Sequence, residues 1–230
     1  MIPLPFRPNL QRAARASALV VLASLGAGPT LCADKPAKAA PKPQTEEEVR
    51  ATLEGKSPQE RITILTEIVD AGQADKNVYF QLGNAHYEKG EPGPAAKSFE
   101  KAVAMDSTFF KAAVNLALMY DEQQQFAKAL ETFERAAALQ PDNPEVWSHM
   151  GNTYYAQRNY AKAMELYRKA LQLQPTAAHA LYSLGVAFAD AGIFREAVRH
   201  WKRVAELEPT SELGKNASEN VQLLQKYLIP

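Results

Sequence analysis

Pro141, Pro175 and Pro209 lie 34 residues apart, and no other feature constrains the fold of this chain as tightly. A fixed period of that size marks stacked copies of one supersecondary unit, none of which buries its apolar face alone. Other positions keep the period. Ala129, Ala163 and Ala197 are small each time, and Phe133, Tyr167 and Trp201 are aromatic each time. Tyr120, Tyr154 and Phe188 repeat in step, as do Phe126, Tyr160 and Phe194, and Gly151 and Gly185 stand one period apart. The chain is an array rather than a single catalytic domain.

Each period reads as two helices. In residues 144–177, Pro144 suits a first helical turn and Asn143 suits the cap before it. Trp147, Met150, Gly151 and Tyr154 come next at three- and four-residue steps, which predicts one buried face. The chain turns near Arg158-Asn159, and a second helix is expected from Tyr160 through Leu173, with Ala163, Tyr167 and Ala170 as its packing stripe. Pro175 lacks the amide needed to extend that helix and closes the unit. Gly151 and Ala163 leave room for the two helices to approach, and Tyr167 fills the space beyond.

These residues resemble the tetratricopeptide repeat, a helix–turn–helix unit whose motif runs Trp, Leu-Gly, Tyr, Ala, Phe, Ala, Pro. The likeness is fullest in residues 144–177. Residues 178–211 match with Leu181, Leu184-Gly185, Phe188, Ala197, Trp201, Val204 and Pro209, and residues 110–143 with Ala113, Leu116-Ala117, Tyr120, Ala129, Phe133, Ala136 and Pro141. Residues 76–109 are looser: Tyr79, Leu82-Gly83, Ala95, Phe99 and Ala102 fit, but His86 replaces the tyrosine and Ser107 the proline. Pro92, inside the stretch GEPGP, predicts a distorted turn there. The resemblance implies an all-α, right-handed α-solenoid of four stacked repeats. A degenerate helical hairpin precedes them over residues 45–75, starting at Thr45 and again at Ser57-Pro58, and a C-terminal capping helix lies within 212–230. That last helix is expected over 212–228, burying Leu213, Ala217, Leu224 and Leu228 on the final repeat.

The first 44 residues read differently. Residues 1–15 carry Arg7, Arg12 and Arg15, an apolar run covers Ala16 to Gly28, and small residues lead to Ala33. That order is the pattern of a secretory signal over residues 1–33, cleaved after Ala33 or after Cys32. The apolar run is short of the ~20 residues a bilayer-spanning helix needs. Two rival readings stay open: an uncleaved membrane anchor, and an organellar transit peptide. Leu31 before Cys32 does not match the small residue that precedes a lipidated cysteine in bacterial lipoprotein signals. Residues 34–44 (DKPAKAAPKPQ) read as a solvated linker of Pro, Ala and Lys. The chain has 26 basic and 26 acidic residues; without the three N-terminal arginines the balance is 23 against 26, a net charge of −3. A body of that charge argues against a nucleic-acid partner.

Catalytic chemistry is not legible. His86, His149, His179 and His200 share no ligand spacing, and Cys32 is the only cysteine. Nucleophile-elbow and phosphate-cradle motifs are absent. No catalytic group, metal site, cofactor or small-molecule substrate is therefore expected. The candidate site is the concave face that the resemblance assigns to the first helix of each repeat. Counting off the packing stripe in steps of four and three gives Phe80, Asn84 and Tyr87, then Val114, Leu118 and Asp121 with Asn115 at their border. Ser148, Asn152 and Tyr155 come one period later, and then Tyr182, Val186 and Ala189. Mixed aromatic, aliphatic and amide surface suits an extended peptide or an amphipathic helix, with Asn84 and Asn152 bonding its backbone. One subclass of these repeats clamps a carboxylate with basic residues, but Phe80, Val114, Ser148 and Tyr182 stand at those places here. The reading is a non-catalytic protein–protein interaction scaffold, exported to the periplasm or cell exterior of a bacterium. Membrane contact is expected only if the N-terminal segment is uncleaved. The alternatives are a membrane-anchored envelope assembly factor and a self-associating structural repeat protein.

Overall fold

A computed structural model describes residues 45–228; the signal and linker segments expected over 1–44 lie outside the described residues. Among the described residues there are eleven α-helices and no strand. They divide into two compact units, 45–119 and 120–228, with the boundary inside one helix.

The 45–119 unit begins with α1 (Glu46–Leu53) and α2 (Pro58–Asp70). Both start on reciprocal caps that the local sequence dictates. Thr45 accepts from the Glu48 amide while Glu48 accepts from the Thr45 amide, and Ser57 and Glu60 repeat the arrangement with Pro58 in the first turn. The first repeat comes next as α3 (Lys76–Glu88), capped by the Asp75 carboxylate, and α4 (Pro92–Met105). Val49, Leu53, Leu65, Ile68, Val78 and Leu82 form a common core that ties α1 and α2 to α3. The distorted turn expected at GEPGP does not occur. Pro92 takes the first position of α4, where a proline costs no hydrogen bond, and α4 is 14 residues long, as are the second helices of the other repeats. The next helix, α5 (Phe110–Glu122), contains the unit boundary.

The 120–228 unit continues through α6 (Phe126–Leu139), α7 (Pro144–Ala156), α8 (Tyr160–Leu173), α9 (Ala178–Asp190), α10 (Phe194–Leu207) and α11 (Glu212–Leu228). Asn143 caps α7 by accepting from the Glu145 amide at 3.0 Å, and Asn159 caps α8 from the Lys162 amide at 3.3 Å. In three of the four helix pairs a glycine faces an aromatic ring. A Cβ added at Gly83 would meet Phe99 at 2.5 Å, one at Gly151 would meet Tyr167 at 2.5 Å, and one at Gly185 would meet Trp201 at 2.6 Å. The glycine is thus a spacing device that lets each ring bury fully.

The packing face of α7 differs from the sequence expectation. Val146, Met150, Gly151 and Thr153 are buried, whereas Trp147 and Tyr154 are only half-buried. The indole keeps a polar edge satisfied outside the core: Trp147 Nε1 donates to the Pro141 carbonyl at 2.8 Å, and Lys169 Nζ lies 3.3 Å from the ring centre. The inter-helix turns also diverge. Gly90 and Gly192 take the left-handed conformation in the first and fourth repeats, while Gln124 and Arg158 take it, at φ of 60° and 62°, in the second and third. Left-handed backbone disfavours a residue with a Cβ by about 1 kcal/mol.

Candidate functional site

In the 45–119 unit the face expected to receive a peptide is partly built into the core. Phe80 is buried, its ring tilted against Phe99 at 5.8 Å and Phe109 at 5.0 Å. Asn84 is buried as well, and its Oδ1 accepts from Asn115 Nδ2 at 3.1 Å, a side-chain bond from α5 to α3. Tyr87, Val114, Asn115 and Leu118 are half-buried and leave part of their surface open.

The 120–228 unit repeats this bond. Asn152 Oδ1 on α7 accepts from Ser183 Oγ on α9 at 3.2 Å and from the Tyr167 hydroxyl on α8 at 2.9 Å. The carbonyl oxygens of Asn84 and Asn152 are therefore spent on joining helices, not on offering an acceptor to a peptide. A polar atom inside a helix stack needs a partner there, and the next helix supplies it. Ser183 stands 31 residues after Asn152, as Asn115 does after Asn84, a spacing from which the pairing could have been read.

Along α7, Ser148 is buried and its hydroxyl donates to the Pro144 carbonyl. Asn152 and Tyr155 are half-buried. The Tyr155 hydroxyl donates to Asp190 at the end of α9, and its ring packs edge-on against Tyr160 at 5.2 Å. Burial raises the Tyr155 hydroxyl well above its ordinary pKa, and the Asp190 carboxylate adds to the shift. Asp190 lies one residue beyond the counted stripe, so spacing does not place it on the face.

The fourth repeat corrects the expected open face. Tyr182, Val186 and Ala189 are all buried, and so is every residue of α9 from Leu181 to Ala189. The cause is α11, whose Leu213, Ala217, Val221 and Leu224 share one apolar cluster with α9 and α10. Asn220 Nδ2 donates to the Tyr182 hydroxyl at 3.1 Å, and Trp201 Nε1 donates to the Tyr182 carbonyl at 3.1 Å. A helix apolar on all sides must be covered on all sides, and α9 is such a helix. The side chain of Leu228, expected in this cap, lies outside the described residues.

Asp121, in the last turn of α5, is the outlying charge of this unit. It is half-buried, its Oδ1 is sealed from solvent with no hydrogen-bond partner, and burial raises its pKa against the opposing pull of the Thr153 hydroxyl. His149 stacks on Phe133 at 5.9 Å, and its pKa is pushed down to about 4, by burial first and by His179 second. No group of three His, Cys, Asp or Glu side chains converges as a metal site among the described residues. No helix among them is long and apolar enough to cross a membrane.

Comparison with known families gives three matches. Models described as tetratricopeptide repeat match residues 77–109 and 144–177, and one described as TPR repeat matches residues 117–158. Among solved structures, a crystal structure of MamA is 23% identical with a TM-score of 0.61, over 72% of this chain and 95% of that one. A structure of MamA from residue 41 to its end, from Desulfovibrio magneticus RS-1, is 23% identical with a TM-score of 0.63, over 72% of this chain and 94% of that one. At that identity the likeness establishes the fold: stacked helix–turn–helix repeats of the solenoid class. No curated protein matches the chain.

Proposed function

Since the chain belongs to the tetratricopeptide repeat family, we propose that it is a non-catalytic scaffold holding a peptide segment or an assembly subunit on the first-helix face of its repeats. The repeats support a role in protein–protein interaction, and modules of this family act by binding rather than by chemistry. One observation carries the choice of face. On α7 the side chains of Asn152 and Tyr155 keep open surface, whereas the equivalent residues of α9 are covered by α11. A partner entering the 120–228 unit therefore meets the third repeat, not the fourth. In the 45–119 unit the half-open residues Tyr87, Val114 and Leu118 play the same part.

The test is capture from an envelope fraction with residues 34–230, beside a variant carrying Tyr155→Ala and Leu118→Asp. A protein held by the first and released by the second supports binding on this face. Equal capture by both moves the site to the outer helices or the termini. We further propose that residues 1–33 export the chain, so that it works in the periplasm or outside the cell. The basic start, short apolar run and small residues before Asp34 support this. N-terminal sequencing of the native protein checks it: a start at Asp34 or Ala33 agrees, and a retained Met1 points to a membrane-anchored assembly factor.

A further inference from the structure

The chain's even balance of charge hides two exposed faces of opposite sign. In the 120–228 unit, helices α8 and α10 together carry seven basic and three acidic residues, a net charge of +4. On α10, Arg195, Arg199, Lys202 and Arg203 are all exposed, and their spacing places them on one face, while Val198, Trp201 and Val204 fill the buried side. Two of these cations are answered on their own helix, Arg199 by Glu196 at 2.6 Å and Arg203 by Glu206 at 3.2 Å. Arg195 and Lys202, two turns apart, form no ion pair among the described residues. The face continues onto α8, because Arg168 and His200 both lie over the Phe188 ring, at 5.9 and 5.5 Å. The imidazole registers the surrounding charge: its pKa is lowered by burial first and then by Arg199 and Arg168, against the pull of Glu196.

The 45–119 unit begins with the opposite charge. Residues 45–75 hold eight acidic and three basic residues, a net charge of −5. On α2, Glu60, Glu67 and Asp70 are exposed, and the other exposed side chains, Gln59, Thr63 and Thr66, are neutral. The one basic residue of this helix, Arg61, is half-buried and donates to Glu88 of α3. Glu67 and Asp70 have no basic partner among the described residues. Hydrogen bonds from Ser57 hold Glu60 below the usual carboxylate pKa, so it too is charged. Glu60 and Glu67 stand seven residues apart, the separation of Arg195 and Lys202, which is about 10 Å along either helix. A membrane surface fits α10 less well, since binding there gains from inserted apolar side chains and those of α10 are committed to the core.

We infer that the basic face of α10 docks on the acidic face of α2 in a second copy of this chain, so that copies associate head to tail. The sign and spacing of the charges match, and each face carries charges unanswered within its own helix. Two unlike surfaces in contact form a heterologous interface. It leaves one α2 face and one α10 face free at the ends, so assembly grows with concentration unless a ring closes. The surfaces are separate from the first-helix face, so the proposal stands independently of peptide binding there.

The test is sedimentation velocity of the whole chain over a range of concentrations, at low and at high salt. Wild type should form species larger than the monomer as concentration rises, with association weakened roughly tenfold in high salt. Arg195→Glu with Lys202→Glu should sediment as a monomer, and so should Glu67→Lys with Asp70→Lys. Both should keep the wild-type Tm, because all four side chains are exposed. Mixing the two variants should restore association, since each supplies the charge the other has lost. The neutral changes Lys202→Gln and Glu67→Gln should each weaken association by a smaller factor, and they replace the reversals if either fails to fold. A wild type that stays monomeric at every concentration would overturn the inference, as would association that either reversal leaves intact. Failure of the mixture to associate would overturn it as well. A monomeric wild type that binds phosphatidylglycerol vesicles, with binding lost in the α10 variant, would assign the basic face to a membrane instead.

Discussion

Helices α7 and α9 hold the same place in adjacent repeats, yet one keeps part of its face open and the other has none. The difference is not in the repeat pattern, since Gly151 and Gly185 seat Tyr167 and Trp201 in the same way. It comes from the helices packed around each. The face of α9 is taken by α11, which places Asn220 on Tyr182 and its apolar stripe on the end of the stack. Identical positions in a repeat array thus acquire different roles from their neighbours, and the accessible part of the 120–228 unit is its third repeat.

The strongest way to break the contrast is to remove α11. Truncation after Pro209 would expose Tyr182, Val186 and Ala189 together with the partners of Leu213, Ala217, Val221 and Leu224. Burial of each large apolar side chain is worth about 1.5–3 kcal/mol, so the fourth repeat should unfold or aggregate; urea unfolding followed by Trp201 fluorescence checks this. Gly185→Ala is the next largest. Its Cβ meets a ring held by a bond to the Tyr182 carbonyl, so displacement strands a buried donor and destabilises by about 2–4 kcal/mol in thermal unfolding.

The pH dependence of the α7 side is smaller. The folded pKa of His149, about 4, lies below its usual 6.5, so between those values the unfolded chain binds more protons. The stability present above pH 6.5 is therefore lost as the pH falls toward 4, by about 1–3 kcal/mol from this group. Urea midpoints at pH 7.5 and 5 measure it, and His149→Gln should flatten the difference. Asn220→Ala removes one bond to Tyr182 and should weaken the α9–α11 contact by about 1 kcal/mol, seen as faster amide exchange in α11. Smallest, and in the opposite direction, Arg158→Gly relieves a left-handed residue after α7 and should raise stability by up to about 1 kcal/mol, toward the arrangement Gly192 already gives after α9.

Much of the fold is legible in the sequence because its signals are local. The 34-residue period, the caps at Thr45, Ser57 and Asn143, and the first-turn prolines each act within a few residues of where they stand. The site is less legible because accessibility is decided at long range. Tyr182 reads as a face residue until Asn220 covers it, and Asn152 reads as a free amide until Ser183 and Tyr167 reach it. Counting along the stripe also favours Trp147 over Val146 and Thr153, since bulk suggests burial more readily than position does. Spacing alone places Asp121 on the face; that one of its oxygens lacks a partner is decided only by the helices around it.

The most direct measurement places a photo-crosslinking benzoylphenylalanine at position 155 in one variant and at position 182 in another, with irradiation of the native envelope. Residue 155 should capture a second protein, while residue 182 should crosslink only within its own chain, to α11. Capture of the same partner from both positions would contradict the distinction between an open third repeat and a covered fourth.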